Sequence, residues 1–458
     1  MSVPLDLLLL VTLVATLMVG YPVGLTLGGV SVIFAALGVV LGEFDPVLLF
    51  ALPSRLFGVM TNSVLVSIPL FVFMGLVLER SKLAEEMLDA SANLFSGLRG
   101  GLLVSVVVVG AMMAASTGIV GASVVTLGLL ALPGMLRNGV PPHLAAGTVA
   151  ASGTLGQIIP PSIVLIVLGD QMSNAWQKMQ LDAGEFAPET VSIADLFAGA
   201  LLPGLLIVGL FVTYLMVLAP RPLRAPENPG VRPQSIELLR AFLAPTVLIM
   251  IVLGSILLGV ATPSEAAGIG AVGALLLARK RLDKSALNNL LADSVHLISM
   301  IFLIVIGASI FSLVFRGLGG EETITALLSD LPGGTYGALI IVMLVIFGLG
   351  FFLEFLEISL VVVPLVAPIL LAMPLADGSA MSPIWLGVLI AINLQTSFLT
   401  PPFGLSLFYL RSVADQSMPT TALYRGVIPF VALQLLALAC VMIWPDIATI
   451  LPQWLYGE

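Results

Sequence analysis

Charge is scarce in this chain. Of its 458 residues only 9% are Asp, Glu, Lys or Arg, whereas a soluble globular protein carries about 25%. Hydrophobic residues make up 59%, and the mean hydropathy is +1.16. So few charges cannot coat a soluble domain, which leaves an integral membrane protein. Cysteine occurs once, at Cys440, and histidine twice, at His143 and His296. One thiol excludes a disulfide framework, and so few His and Cys argue against a metal centre built from them. Phosphate-loop, G-x-S-x-G and H-E-x-x-H motifs are all missing, which removes ATP hydrolysis and the common hydrolase chemistries. No enzymatic activity is expected, and transport driven by an ion gradient is favoured.

What the chain has is apolar runs of about 20 residues, enough to cross a bilayer as helices. Hydropathy places spans at 5–20, 24–41, 56–79, 144–169 and 196–218, then at 241–258, 264–279, 290–315, 385–410 and 426–448. The first run lacks a basic flank and a small-residue cleavage site, so it reads as a retained span and not as a signal peptide. Two longer stretches, 101–136 and 337–373, have polar or glycine-rich middles, AASTGIVGAS and EFLEIS. These suit re-entrant helical hairpins. The segment 79–95 has amphipathic spacing and reads as a helix along the inner membrane face.

Two spans contain a Pro-Pro pair, Pro160-Pro161 and Pro401-Pro402, offset by 241 positions. At that offset residues 1–217 and 242–458 hold 12 and 13 prolines, of which seven coincide; chance predicts roughly one at ordinary composition. Discounting Pro188/Pro429, where local similarity favours another pairing, six still stand, and they imply an internal duplication. The halves are 1–218 and 241–458, joined by a Pro- and Arg-rich cytoplasmic linker at 219–240. With both hairpins re-entrant and both termini outside, 14 basic residues fall inside and only Arg55, Lys178 and Arg316 fall outside. This obeys the positive-inside rule. Each half then crosses five times, so the second is inverted relative to the first. The expected fold is an all-α polytopic membrane protein of two inverted-topology repeats, each with a re-entrant hairpin and a Pro-Pro-broken helix, the plan of elevator-type ion transporters.

A proline pair breaks a helix and frees backbone groups that lipid cannot satisfy, so the break must line an enclosed or hydrated cavity. Oxygen donors flank both breaks: Ser152, Thr154 and Gln157 before Pro160 and Pro161, and Asn393, Gln395, Thr396, Ser397 and Thr400 before Pro401 and Pro402, with Gly404 beyond. Half-helix ends and neutral oxygens suit an anion and Na⁺ respectively. The alternative is that the prolines only shape packing. Hairpin middles add Ser116, Thr117 and Gly118, and Glu354, Glu357 and Ser359. A carboxylate at membrane depth points to function, but a watery vestibule or a pairing with Arg316 would account for either Glu as well. Glu265 reads as a helix cap, His296 as a residue facing a helix neighbour, and RKRLDK (279–284) as a topology determinant.

The segments MAASTGIVGASVVTLGLLALPGMLRNGVPPHLAAGTVAASGTLGQIIPPSIVLIVLGDQM (113–172), ATPSEAAGIGAVGALL (261–276) and NLQTSFLTPPFGLSLFYLRSVA (393–414) resemble the DctM-type large membrane subunit of tripartite ATP-independent periplasmic (TRAP) transporters. The tips STGIVG and EFLEIS look like the branch labelled "mannitol/chloroaromatic", so dicarboxylate or sialic-acid specificity does not carry over. The resemblance implies a bacterial inner-membrane symporter that works as an elevator on a small organic anion. Its implied partners are a four-helix DctQ-type membrane subunit and a DctP-type periplasmic binding protein. It also implies Na⁺ as coupling ion, held by Ser116, Gly118, Ser152 and Thr154 in one half and by Glu354, Asn393, Thr396 and Thr400 in the other. Substrate would meet Ser116, Thr117, Thr154, Gln157, Glu357, Ser359, Gln395 and Thr400, with Pro160, Pro161, Pro401, Pro402 and Gly404 forming the breaks. A stand-alone Na⁺/dicarboxylate-type symporter is the competing transporter reading. An intramembrane aspartyl protease would need paired aspartates inside adjacent spans, and the aspartates here sit at span ends.

Overall fold

The computed structural model describes residues 4–81, 83–95, 97–219, 235–376, 378–416 and 418–457, without the side chains of residues 114, 116, 117 and 235–241. All regular structure among the described residues is helical, and six continuous helical stretches, one of them Phe355–Ala372 with a π turn inside it, are long and apolar enough to cross a membrane. The protein is an all-α polytopic membrane protein.

Two compact units form, each drawing chain from both sequence halves. The larger comprises Ser67–Ile166, Ile193–Ser294 and Gly387–Glu458; the smaller comprises Met1–Val66, Val167–Ser192 and Val295–Leu386.

Helices of the chain up to the first proline pair are α1 (Leu5–Met18), α2 (Val23–Leu41), α3 (Leu52–Thr61), α4 (Ser67–Arg80), α5 (Leu83–Leu94), α6 (Gly101–Thr117), α7 (Val120–Arg137) and α8 (Pro142–Thr154). Then come α9 (Ile163–Asp182), α10 (Ile193–Leu218), α11 (Ser235–Leu257), α12 (Pro263–Ala278) and α13 (Lys284–Gly317). The remainder are α14 (Gly320–Ser329), α15 (Gly334–Leu349), the one-turn α16 (Phe355–Glu357), α17 (Val363–Ala372), α18 (Pro383–Leu399), α19 (Leu405–Val413), α20 (Thr420–Ile443) and α21 (Asp446–Tyr456).

In the larger unit α8 is the central element. Proline opens it at the first helical position, where its missing N–H costs nothing, and every residue from Leu144 to Thr154 is buried. Its small residues make that possible. A Cβ placed on Gly147 would lie 2.1 Å from the Gly426 carbonyl oxygen of α20, and one on Gly426 would lie 2.0 Å from the His143 oxygen. The two helices therefore meet backbone to backbone, as small residues permit inside membranes. α6 and α7 form the first helical hairpin, turning at Gly118 and Ile119, and both pack on α8. α5 buries Leu83, Ala84, Met87 and Ala90 against α6 and α11. Thr262 and Glu265 make a reciprocal capping box at the start of α12, as expected for Glu265. Arg281 of the basic run reaches Glu86 at 2.7 Å, and Arg80 pairs with Asp293.

In the smaller unit α1 packs on α2, and the second hairpin runs out along α15 and returns through α16, a π turn at Ile358–Val362 and α17. The Thr335 hydroxyl donates to the Pro374 oxygen at 2.5 Å, closing the base of this hairpin.

Several boundaries differ from the hydropathy reading. The span expected at 56–79 is two helices, because Asn62 Oδ1 accepts from the amides of Val64 (2.8 Å) and Leu65 (3.3 Å) and competes with the helical ladder. The polar segment after Asp170 is not a loop at first: α9 continues to Asp182. Hydropathy marks where lipid ends, whereas the helix ends where its hydrogen bonds do. Beyond α20 the chain turns at Trp444 and Pro445 and makes a further helix, α21. His296 is exposed on α13 and does not face a packed neighbour. Residues 220–234 of the expected linker lie outside the described residues, and α11 takes up its last six positions.

Candidate functional site

Both proline pairs end one helix and begin another. At the first, α8 tightens into a single 3₁₀ turn over Leu155–Gln157, and α9 starts at Ile163. The freed Gln157 carbonyl accepts from the Ser162 hydroxyl at 3.1 Å. At the second, α18 ends at Leu399, Gly404 caps α19, and the Ser406 hydroxyl donates to the Phe398 oxygen at 2.7 Å. Both pairs contain a cis peptide bond. A nearby serine satisfies part of the exposed backbone at each break, as burial demands. The two breaks differ in shelter: Pro160 and Pro161 are buried, whereas Pro402 and Phe403 are exposed.

Each break sets the carbonyl end of one helix near the amide end of the next. Fractional charges of opposite sign result, with the N-terminal end favouring anions and the C-terminal end favouring cations.

The first hairpin holds the first break. Gly118 adopts φ +61, a conformation that a side chain disfavours. A Cβ there would also stand 3.0 Å from the Ile163 amide nitrogen. The hairpin tip thus rests against the first residue of α9. On the outgoing arm, a Cβ at Gly110 would meet Ser152 Cβ at 2.6 Å. The hairpin therefore packs along the break, its tip at Ile163 and its outgoing arm at Ser152, with Thr154 and Gln157 in the chain segment between those two contacts. Ser116 and Thr117 end α6, but their side chains lie outside the described residues.

Hydrogen bonding sorts the polar side chains into two kinds. Thr154 donates to Ala151 O (2.8 Å), Thr396 to Ile392 O (2.7 Å), Ser397 to Leu394 O (2.9 Å) and Thr400 to Thr396 O (2.7 Å). With their protons committed to their own helices, these hydroxyls present lone pairs, the polarity a cation needs. The second kind has nothing to bond. Ser152 Oγ and both side-chain polar atoms of Gln157 and of Gln395 are buried without a hydrogen-bond partner. Buried polar groups are nearly always paired, and each orphan costs about 1–3 kcal/mol. Asn393 is buried in the same stretch of α18.

The remaining expected residues belong to the smaller unit. There the Glu354 amide donates to Glu357 Oε2 at 2.8 Å, and the pair forms a capping box at the start of α16. Arg316, the partner considered for either carboxylate, instead pairs with Glu321 at 3.3 Å. Ser359 lies in the π turn, with its hydroxyl buried and unpartnered; such turns recur at functional sites.

One residue escaped the sequence reading. Gln434, in the middle of the apolar α20, is fully buried, and its Nε2 lies 3.4 Å from Thr154 Oγ1. The available signal was a lone amide in a 24-residue apolar helix, unused because it flanks no proline pair.

The sequence model described as "Tripartite ATP-independent periplasmic transporter, DctM component" matches residues 10–447. The chain belongs to the DctM family of TRAP transporters. It is therefore a transport protein, a large permease component, and not an enzyme. Similar proteins include the C4-dicarboxylate TRAP transporter large permease DctM of Pseudomonas aeruginosa, 30% identical over 90% of this chain and 91% of that one. The sialic acid TRAP transporter large permease SiaM of Vibrio cholerae is 27% identical over 96% and 97%. The ectoine TRAP transporter large permease TeaC of Halomonas elongata is 24% identical over 97% and 98%. Among solved structures, the Alcanivorax borkumensis YdaH transporter superposes with a TM-score of 0.58 at 14% identity, covering 88% of this chain and 87% of that one. Neisseria gonorrhoeae MtrF gives 0.58 at 13% identity, covering 86% and 83%. At these identities the likeness is one of fold.

Proposed function

We propose that this DctM-family chain is the permease of a Na⁺-coupled uptake system for a small organic anion, probed by ion and substrate at its two broken helices. The observation that carries the reading is the set of buried, unpartnered side chains at the breaks: Ser152, Gln157 and Gln395. Neutral oxygens of this kind match the ligand preference of Na⁺, and the N-terminal end of α9 suits a carboxylate. The lone pairs of Thr154, Thr396 and Thr400, left by the bonds to their own helices, support the same assignment. Ser116 and Gly118 complete the proposed cation ligands of the first half, and Glu354 and Asn393 are the further ones proposed in the second. Gln157, Gln395, Thr154 and Thr400 are proposed to meet substrate, with Ser116, Thr117, Glu357 and Ser359.

Curated relatives transport C4-dicarboxylates, sialic acid or ectoine, which supports a small, polar organic solute. The chain is proposed to sit in the bacterial inner membrane with both termini outside, as two inverted repeats that alternate access by elevator motion. The duplicated proline spacing and the 14-to-3 sorting of basic residues support this orientation. Its partners are proposed to be a small DctQ-type membrane subunit and a DctP-type binding protein that delivers the substrate.

The test is reconstitution into liposomes with an imposed Na⁺ gradient. Uptake should need Na⁺, the small subunit and the binding protein together. Uptake by this chain alone would favour the stand-alone symporter instead.

A further inference from the structure

We propose that Gln434 of α20 is an additional oxygen donor to the cation site at the first break, supplied by a helix that contains no break. The inference rests on the cation reading given above.

Thr154 has one hydroxyl proton, and it is directed to Ala151 O at 2.8 Å. Whatever approaches Thr154 Oγ1 from outside its helix must therefore donate a hydrogen bond. The amide of Gln434 does so through Nε2, at 3.4 Å. With the Thr154 proton on Ala151 O, this is the amide orientation that matches a donor to an acceptor. With Nε2 on Thr154, the carbonyl oxygen Oε1 is turned away from that hydroxyl. It is buried, and it has no hydrogen-bond partner. The Gln434 side chain is wholly inaccessible, like those of Ser152 and Gln157.

A packing role alone does not call for an amide here. Leu or Met would fill the volume in an otherwise apolar helix without an orphaned acceptor, which costs about 1–3 kcal/mol when left unbonded. Backbone contact already joins α20 to α8 at Gly147 and Gly426, so the side chain is not needed as a tether. An uncompensated carbonyl held beside a hydroxyl of the proposed site is accounted for by a cation that draws on both oxygens. Thr154 and Gln434 then act as one unit: the amide N–H locks the hydroxyl, and the amide C=O adds a donor from a third direction.

The experiment measures Na⁺ binding without transport. Full-length protein in nanodiscs is melted in NaCl against choline chloride at constant ionic strength, and the Na⁺ midpoint is read from the thermal stabilisation. Q434M should raise that midpoint about three- to tenfold, the loss expected of one contact of hydrogen-bond strength, without lowering the melting temperature in choline, since it removes an orphaned acceptor. Q434E, whose fully buried carboxyl stays protonated and so keeps an O–H for Thr154 as well as a C=O, should retain a midpoint close to the unaltered one. An unchanged midpoint in Q434M, or an equal loss in Q434E and Q434M, would overturn the proposal and leave Gln434 a structural residue. S152A/T154A is the reference. If Na⁺ stabilises that variant as well as it does the unaltered protein, the cation site itself is misplaced; if it fails to while Q434M responds normally, only the Gln434 assignment falls.

Discussion

Single atoms at the first break make the sharpest expectations. Ser152 Oγ is buried without a partner, and Thr154 offers lone pairs only. Removing both hydroxyls in S152A/T154A should raise the proposed Na⁺ requirement of uptake about tenfold or more, since each contact of this class contributes about 1 kcal/mol; Na⁺-dependent initial rates in liposomes measure it. Gly118 makes a different demand. Alanine there must hold φ +61 and press its Cβ to 3.0 Å from the Ile163 amide. G118A should cost about 1–2 kcal/mol of local strain and lower uptake more than expression, which quantitative blotting beside transport assays separates. Glu357 is bonded to the backbone of Glu354, so its acceptor oxygen matters to the helix start whatever its charge. E357Q should keep the melting temperature of the parent, whereas E357A loses a cap of about 1 kcal/mol and melts lower.

Between elements, close approach decides what each helix tolerates. α8 and α20 touch through Gly147 and Gly426, where an added Cβ would fall 2.1 Å from a carbonyl oxygen. No rotamer relieves that, because the obstacle is backbone. G147A should therefore push the helices apart at a cost of about 1–3 kcal/mol, the usual penalty of overpacking, and G147V should cost more. Yield and melting temperature in detergent report it. The ion pairs Arg80–Asp293 and Arg281–Glu86 are a contrasting case. Their side chains are from about a third to a half exposed, and exposed pairs contribute about 0.2–1 kcal/mol. Charge reversal at either pair should leave stability nearly unchanged, and a double reversal should restore what little is lost.

For the whole molecule, the proposed inversion has a direct test. In a Cys440→Ser background, single cysteines replacing Lys178 and the exposed Arg425, which lie in corresponding parts of the two halves, should label from opposite sides of the membrane in oriented vesicles. Labelling from the same side would overturn the inverted plan. Lys178 and Arg316 both engage Glu321 in the smaller unit, so cations that stand 138 residues apart in sequence share one acid. Burial and the neighbouring Arg316 charge hold Lys178 below the usual range for a lysine.

Composition by itself determined that the chain lives in lipid, because 9% charge cannot dress a soluble surface. The proline register determined where helices break, since proline removes an N–H and blocks the preceding turn wherever it falls. Both proline pairs end helices in the structure. The match of Glu265 to a cap was equally local, a matter of three residues' spacing. Hydropathy could not fix helix ends: Asn62 stops one helix by accepting from the amides of Val64 and Leu65, and α9 runs on through polar residues. Nor could it choose among oxygen donors. Ser152, Thr154 and Gln157 read alike in sequence, yet one hydroxyl is orphaned, another is bonded, and an amide is left with no partner at all. Gln434 lies 280 positions from Thr154, and only the packing of α20 on α8 brings the two together. Hydrogen bonds act over about 3 Å, and proximity at that range between distant segments is a property of the folded chain alone.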